Sequence, residues 1–396
     1  MAGLSLCLLL ASGLLAWSLV SDDPYVVPAP PASTATTISP ALAAGALEDF
    51  EEAVRTGDED AARALAPSGD DAAGDRLAGI VANAEAAEVR DFTLRFVDAE
   101  NDAGYADATW RFAGFDPGAA HAEILVGLEG DGDRVAITRF GGGDRISPLW
   151  LSGPLEVRRT DSTLVLVDGS AAEADTVARR AEAAVPVVRQ VLPQWDHGLV
   201  VEVPGSVDEL DAVLDADDGG YDQIAAVTTS ADGSLAPEAP VHVFVNPDLF
   251  GRLEPTGAQV VMSHEATHVA TEAWASTMPL WLLEGFADYV ALRDVDLPLS
   301  RSAAQAIAEV RRDGPPRALP DAAEFGTRTP NLGATYESAW LACRLLAQEG
   351  GEAALVRFYR DVHAGTPVPK ALRASLGLTV SAVTERWRDL LTDLAG

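Results

Sequence analysis

Two of the chain's six histidines stand four apart with a carboxylate beside the first, in His264-Glu265-Ala266-Thr267-His268. Residues four apart on a helix share a face, so both imidazoles can aim a ring nitrogen at one point. Zinc suits that point, because neutral imidazole is a good ligand and catalytic zinc takes three protein ligands plus a water. Glu265 neighbours the pair, where it can take a proton from that water. A third ligand is still needed. Trp281-Leu282-Leu283-Glu284-Gly285-Phe286-Ala287-Asp288-Tyr289 offers two carboxylates four apart, and Glu284 stands out as a charge inside an apolar run. Asp288, Glu272 and His363 are its rivals.

Helices must position these groups. Pro255-Thr256 is a plausible helix start, and Val260, Val261, Met262 and Val269 supply an apolar face. A second helical stretch runs from about Pro279 to Leu292. Upstream, Leu155–Val157 and Leu164–Val167 read as a hairpin around Thr160-Asp161-Ser162, and Ala171–Leu192 as a long helix. Leu199–Val203, Ile224–Thr228 and Val241–Val245 read as strands, with Ser206 and Glu209 forming a capping box between the first two. Downstream the pattern is helical: Ser300–Arg312, Tyr336–Gln348, Glu352–Asp361 and Val380–Leu394, with Trp340 and Trp387 as core residues.

The H-E-x-x-H motif followed by W-L-x-E-G-x-A-D-Y resembles the gluzincin metallopeptidases, in particular the peptidase-MA-like bacterial families. The resemblance covers residues 260–292 specifically and the chain from Leu155 onward loosely. It implies Zn2+ held by His264, His268 and Glu284, with Glu265 as catalytic base. It implies Asp288 as the acceptor that orients a ligand histidine, most simply His264. It also implies Tyr336, at a helix start near the cleft, as donor to the developing oxyanion. An edge strand above the motif helix would receive extended substrate; the resemblance suggests that role for Val241–Val245, with a plain core strand as the equal alternative. Fifteen residues separate His268 from Glu284, fewer than in the larger gluzincins, so the connection must be short.

Composition narrows the classes of partner. Of 396 residues 48% are hydrophobic and 22% charged, ordinary values for a globular protein, and the length allows two domains. A net charge of −33 argues against nucleic acid, which needs clustered Lys and Arg to neutralise phosphate. Cys7 lies in an apolar leader and Cys343 in a helical stretch, so no disulfide framework is expected.

The expected fold class is α+β in four parts. Residues 1–21 contain the uncharged span Gly3–Val20, read as an uncleaved transmembrane anchor in preference to a signal segment. Residues 22–41 form a Pro/Ala-rich linker. Residues 42–148 have helical spacing over Ala43–Ala66 and Ala72–Ala87. Strand-like runs follow at Phe92–Val97, Ala106–Phe115, Ala122–Leu128 and Arg134–Phe140. This order suggests a small cystatin/NTF2-like domain by analogy alone. Residues 149–396 are the zincin-like peptidase domain with a mostly helical C-terminal part.

Two functions fit. The first is a membrane-anchored, single-pass, extracytoplasmic zinc peptidase acting on a peptide or protein substrate. The second is a non-catalytic cell-surface binding protein that uses a zincin scaffold. The intact Glu265 favours the enzyme, since a binding module has no use for that carboxylate.

Overall fold

The computed structural model describes residues 38–100, 103–326 and 329–396. The apolar span Gly3–Val20 and the linker up to residue 37 lie outside the described residues. Among the described residues no helix is long and apolar enough to cross a membrane.

The protein is a mixed α+β structure. Ile38 is already buried, and the first helix, α1 (Pro40–Thr56), starts with proline, whose missing N–H costs nothing in a first turn. The single helix expected over Ala43–Ala66 is two. Gly57 takes a left-handed φ of 71°, a conformation that ends helices and suits glycine, before α2 (Glu59–Arg63). With α3 (Asp71–Ala86) these helices pack on one face of an antiparallel meander, β1 (Val89–Glu100), β2 (Ala103–Phe112), β3 (Ala120–Asp131) and β4 (Arg134–Phe140). Strand β2 has the period of a half-buried strand: Gly104, Ala106, Ala108, Trp110 and Phe112 face the helices while their neighbours do not.

A second, five-stranded sheet follows. Its strands are β5 (Glu156–Arg159), β6 (Thr163–Val167), β7 (Leu199–Val203), β8 (Ala226–Ser230) and β9 (Val241–Val245), in the spatial order β5-β6-β7-β9-β8. β6, β7 and β9 are parallel, and the two edge strands run antiparallel to their neighbours. The central strands are buried on both faces, which is why they read as Val/Leu-rich runs, with Glu202 in β7 and His242 in β9 as their titratable interruptions. Val165, Val201 and Val243 face a helical layer; Leu164, Val200 and Phe244 face the core shared with the meander.

The helical layer begins with α4 (Ala171–Val191), which connects β6 to β7. Its N-terminus carries a complete capping box, Ser170 with Glu173. The box expected at Ser206 is only half made, because the Glu209 carboxylate reaches back to the Gly205 N–H. After α5 (Val207–Val213) and the short α6 (Pro247–Phe250) come α7 (Pro255–Ala270) and α8 (Leu280–Leu292). The remainder is helical: α9 (Leu299–Ser302), α10 (Ala304–Asp313), α11 (Leu332–Gly350), α12 (Glu352–His363), α13 (Val368–Leu376) and α14 (Val380–Ala395). Trp387 is fully buried and donates its ring N–H to the Ser338 carbonyl at 2.9 Å, tying α14 to α11.

Of the two readings of Val241–Val245, the core strand holds. Val241–Val245 is not an edge strand; it pairs with β7 on one side and β8 on the other. The chain lays down β8 first and then inserts β9 between β8 and the rest. The free edge therefore belongs to Ala226–Ser230.

Candidate metal centre

Helix α7 runs from Pro255, its first turn needing no N–H from proline, to Ala270. It buries Ala258, Met262 and Ala266 in the core it shares with α4, and Gln259 donates to the Arg180 carbonyl of α4 at 3.1 Å. The opposite side of its last turns carries His264, Glu265 and His268 toward a cavity of about 630 Å³. After Thr271 the chain turns through Glu272, held at φ 52°, and a single 3-10 turn, Ala273–Ala275, before α8 begins.

Helix α8 lies against α11 at very short range. A side-chain carbon on Gly285 would meet the Ala339 carbonyl oxygen at 2.4 Å, so only glycine allows this approach. That packing brings Glu284 under the two histidines. Its Oε2 lies 3.1 Å from Nε2 of His264 and 3.3 Å from Nε2 of His268, and the two nitrogens are 2.9 Å apart. The rings stand nearly perpendicular, at 85°. These three side chains form the one group among the described residues whose geometry could hold a metal ion.

Their fit to zinc can be tested on these distances. Ligand atoms about 2.0–2.1 Å from a tetrahedral ion are separated by roughly 3.3 Å. The observed triangle of 2.9 to 3.3 Å needs only slight expansion. The donor set, two imidazoles and a carboxylate, is one zinc uses with an open fourth position. The outer nitrogen of His264 fits as well: Nδ1 lies 2.7 Å from Oδ1 of Asp288. A carboxylate there holds the proton on Nδ1 and leaves Nε2 a lone pair for a metal.

Without a metal, the carboxylates of the centre favour a proton on His264, which a bound metal ion would displace. Burial would raise the Glu284 carboxyl, but the imidazoles of His268 and His264 outweigh it and hold it well below the usual carboxylate range. Burial would lower His264, but Asp288 and Glu284 push it well above its ordinary value. Glu265 is raised chiefly by burial, opposed by the two histidines and by a hydrogen bond from Thr228.

Each expected residue can be placed. Glu265 stays outside the ligand triangle, 7% exposed, and accepts from the Thr228 hydroxyl at 2.7 Å. Asp288 contacts His264 from the outer side of its ring. Tyr336 lines the cavity, its ring 6.3 Å from that of His264 and braced edge-on by Phe325. Burial and the nearby carboxylates of Glu284, Asp288 and Glu265 push its hydroxyl far above the normal tyrosine range, so it is a hydrogen-bond donor at any working pH. Glu272 and His363 are not brought to the centre. Glu272 is exposed on the connecting turn, and His363 stacks on Tyr359 at the end of α12.

The sequence reading missed Thr228. Strand alternation would put it on the same side of the sheet as its pairing partner Val243, which faces the helical layer. That it sits on the edge strand over Glu265 follows only from the order of the strands.

No family model matches this chain, and no curated protein matches it. Among solved structures it is similar to a two-domain M1 zinc metallopeptidase, a mutant form bound to L-arginine. The identity is 12% and the TM-score 0.34, over 76% of this chain and 71% of that one. The functional reading therefore rests on the geometry of the centre.

Proposed function

We propose that this protein is a zinc-dependent peptidase. The observation that carries the reading is one arrangement: three ligand atoms converge to within 3.3 Å while a fourth group, Glu265, faces the same cavity without joining them. A purely structural metal site would be closed by a fourth protein ligand.

His264, His268 and Glu284 would hold the ion, and Asp288 keeps His264 in the required tautomer. Zinc bound there supplies a Lewis acid that brings a water's pKa toward neutrality. Glu265 accepts the proton of the attacking water and passes it to the leaving amine. The Tyr336 hydroxyl donates to the oxygen on which charge develops. The free edge of β8 runs along the cavity through Ala226, Val227 and Thr228, so an extended peptide can add to it as a further strand. We extend the reading to location: the uncharged span Gly3–Val20 anchors the chain in a membrane, with the folded part outside the cytoplasm. Protease shaving of intact cells should then remove the folded part, and recovery of the full-length chain in the soluble cytosol counts against the anchor.

Glu265→Gln separates metal binding from chemistry. It should stay folded and retain about one zinc per chain, yet lose at least a hundredfold in peptide hydrolysis, the usual worth of a general base. Ala at His264, His268 or Glu284 should lose zinc and activity together. Full occupancy and turnover in Glu284→Ala means the third ligand is another residue. A wild type that binds zinc but cleaves nothing in a broad peptide library returns the protein to the binding-module reading.

A further inference from the structure

The edge strand does more than border the cleft. Thr228 is one of its central residues, paired with Val243 of β9, and it sits on the helix-facing side of the sheet. Its hydroxyl lies 2.7 Å from Oε2 of Glu265 and 3.2 Å from the backbone oxygen of the same residue. Both acceptors within its reach belong to Glu265. Conversely, among the described residues it is the one hydrogen-bond partner of the Glu265 side chain.

A glutamate has three side-chain torsions, and a base left to sample them spends little time aligned with its proton. Catalytic groups need placement to about 0.5 Å. The motif helix fixes only where the Glu265 side chain starts. A β-branched threonine is a well-defined donor, because its first torsion is restricted and the sheet ladder fixes its backbone. A bond to Oε2 occupies one carboxylate oxygen and leaves Oε1 to accept from water.

We propose that Thr228 is a positioning residue, its hydroxyl holding the Glu265 carboxylate in the orientation proton transfer requires. The proposal rests on the reading of Glu265 as the base. It also makes the strand that would receive substrate the strand that aims the base.

The test uses the full chain with Thr228→Val, which keeps the shape and removes the hydroxyl, and Thr228→Ser, which keeps the hydroxyl. Both are checked for folding by melting temperature and for zinc by stoichiometry. With a peptide taken from the library, Thr228→Val should lower kcat about 10- to 100-fold with KM within about threefold, and Thr228→Ser should restore kcat to within about threefold. In a Glu265→Gln background, Thr228→Val should add less than about a twofold loss, because the group it holds is gone. A readout without metal or turnover is the Glu265 carboxylate stretch, isolated as the infrared difference between wild type and Glu265→Gln in the metal-free protein. That band should shift in Thr228→Val and stay in place in Thr228→Ser. An unmoved band, an unchanged kcat in Thr228→Val, or a full additive loss in the double variant overturns the proposal. If the wild type hydrolyses no peptide but the band moves, the contact stands and the peptidase reading alone has failed.

Discussion

His264 is served from both ends of its ring, by Asp288 at 2.7 Å on Nδ1 and by Glu284 at 3.1 Å on Nε2. His268 is not. Its Nδ1 is buried with no partner among the described residues, so its orientation depends on packing. Asp288 therefore carries the electrostatic share of ligand alignment for the pair. Asp288→Ala should weaken zinc binding about 10- to 100-fold, the usual loss when a carboxylate behind a ligand histidine is removed. Chelator competition measures this directly, and an unchanged affinity would show that packing alone aligns His264. Asp288 was legible in sequence as a carboxylate one turn beyond Glu284. The bare nitrogen of His268 was not, because it depends on which groups the tertiary structure places beside it.

At the scale of elements, the ligands sit on α7 and α8, and the place of α8 is set by its close packing on α11. Gly285 sits where α8 meets α11, and a Cβ there would lie 2.4 Å from the Ala339 carbonyl oxygen and 3.1 Å from Cys343 Sγ. Backbone cannot move aside as a flexible side chain can, so Gly285→Ala must push the helices apart. An overpacked core position costs about 1–3 kcal/mol. Gly285→Ala should lower the melting temperature even without zinc. It should also raise sensitivity to chelators, because Glu284 is the next residue. A variant with wild-type stability and wild-type zinc affinity would mean the helices separate without strain. The helices that carry the motif and Glu284 were readable near their observed bounds, but the helix expected over Ser300–Arg312 is two, α9 and α10, and α13 was not expected. The sheet was harder to read. The sequence pattern marks Val241–Val245 and Ile224–Thr228 as strands, the second observed two residues further on as Ala226–Ser230, but carries no information on which one ends up at the edge.

Across the whole molecule, the meander and the five-stranded sheet are joined by a buried charged contact. His242 of β9 is fully buried between Glu202 of β7, 2.6 Å from Nδ1, and Asp116, which follows β2, 3.0 Å from Nε2; Phe112 stacks on its ring. Burial alone would lower the imidazole pKa, but the two carboxylates overcome it and push it up to about 10. The unfolded value is near 6.5. The folded state thus binds the proton more tightly, and this stabilisation is present in full below about pH 6.5. It declines above that and is gone once the pH passes about 10. Chemical denaturation at rising pH should reveal that loss in the wild type. His242→Gln should lack this component. At neutral pH it should be destabilised by about 3–5 kcal/mol, because two carboxylates are left buried without their cation. A variant that keeps the wild-type alkaline profile would show that His242 is uncharged in the folded protein.

His264, Glu265 and His268 were legible at once, because four-residue spacing on a helix fixes which side chains share a face whatever surrounds them. Glu284 was visible as a charge in an apolar run, and resemblance gave it a role. Local chemistry of this kind is written within a few residues of chain. What the tertiary structure decided involves groups far apart in sequence. Thr228 meets Glu265 across 37 residues and Asp116 meets His242 across 126. Neither contact leaves a local pattern, because each depends on strand order and on how two layers stack. Burial then sets the charge states, since desolvation and partner charges act through space and not along the chain.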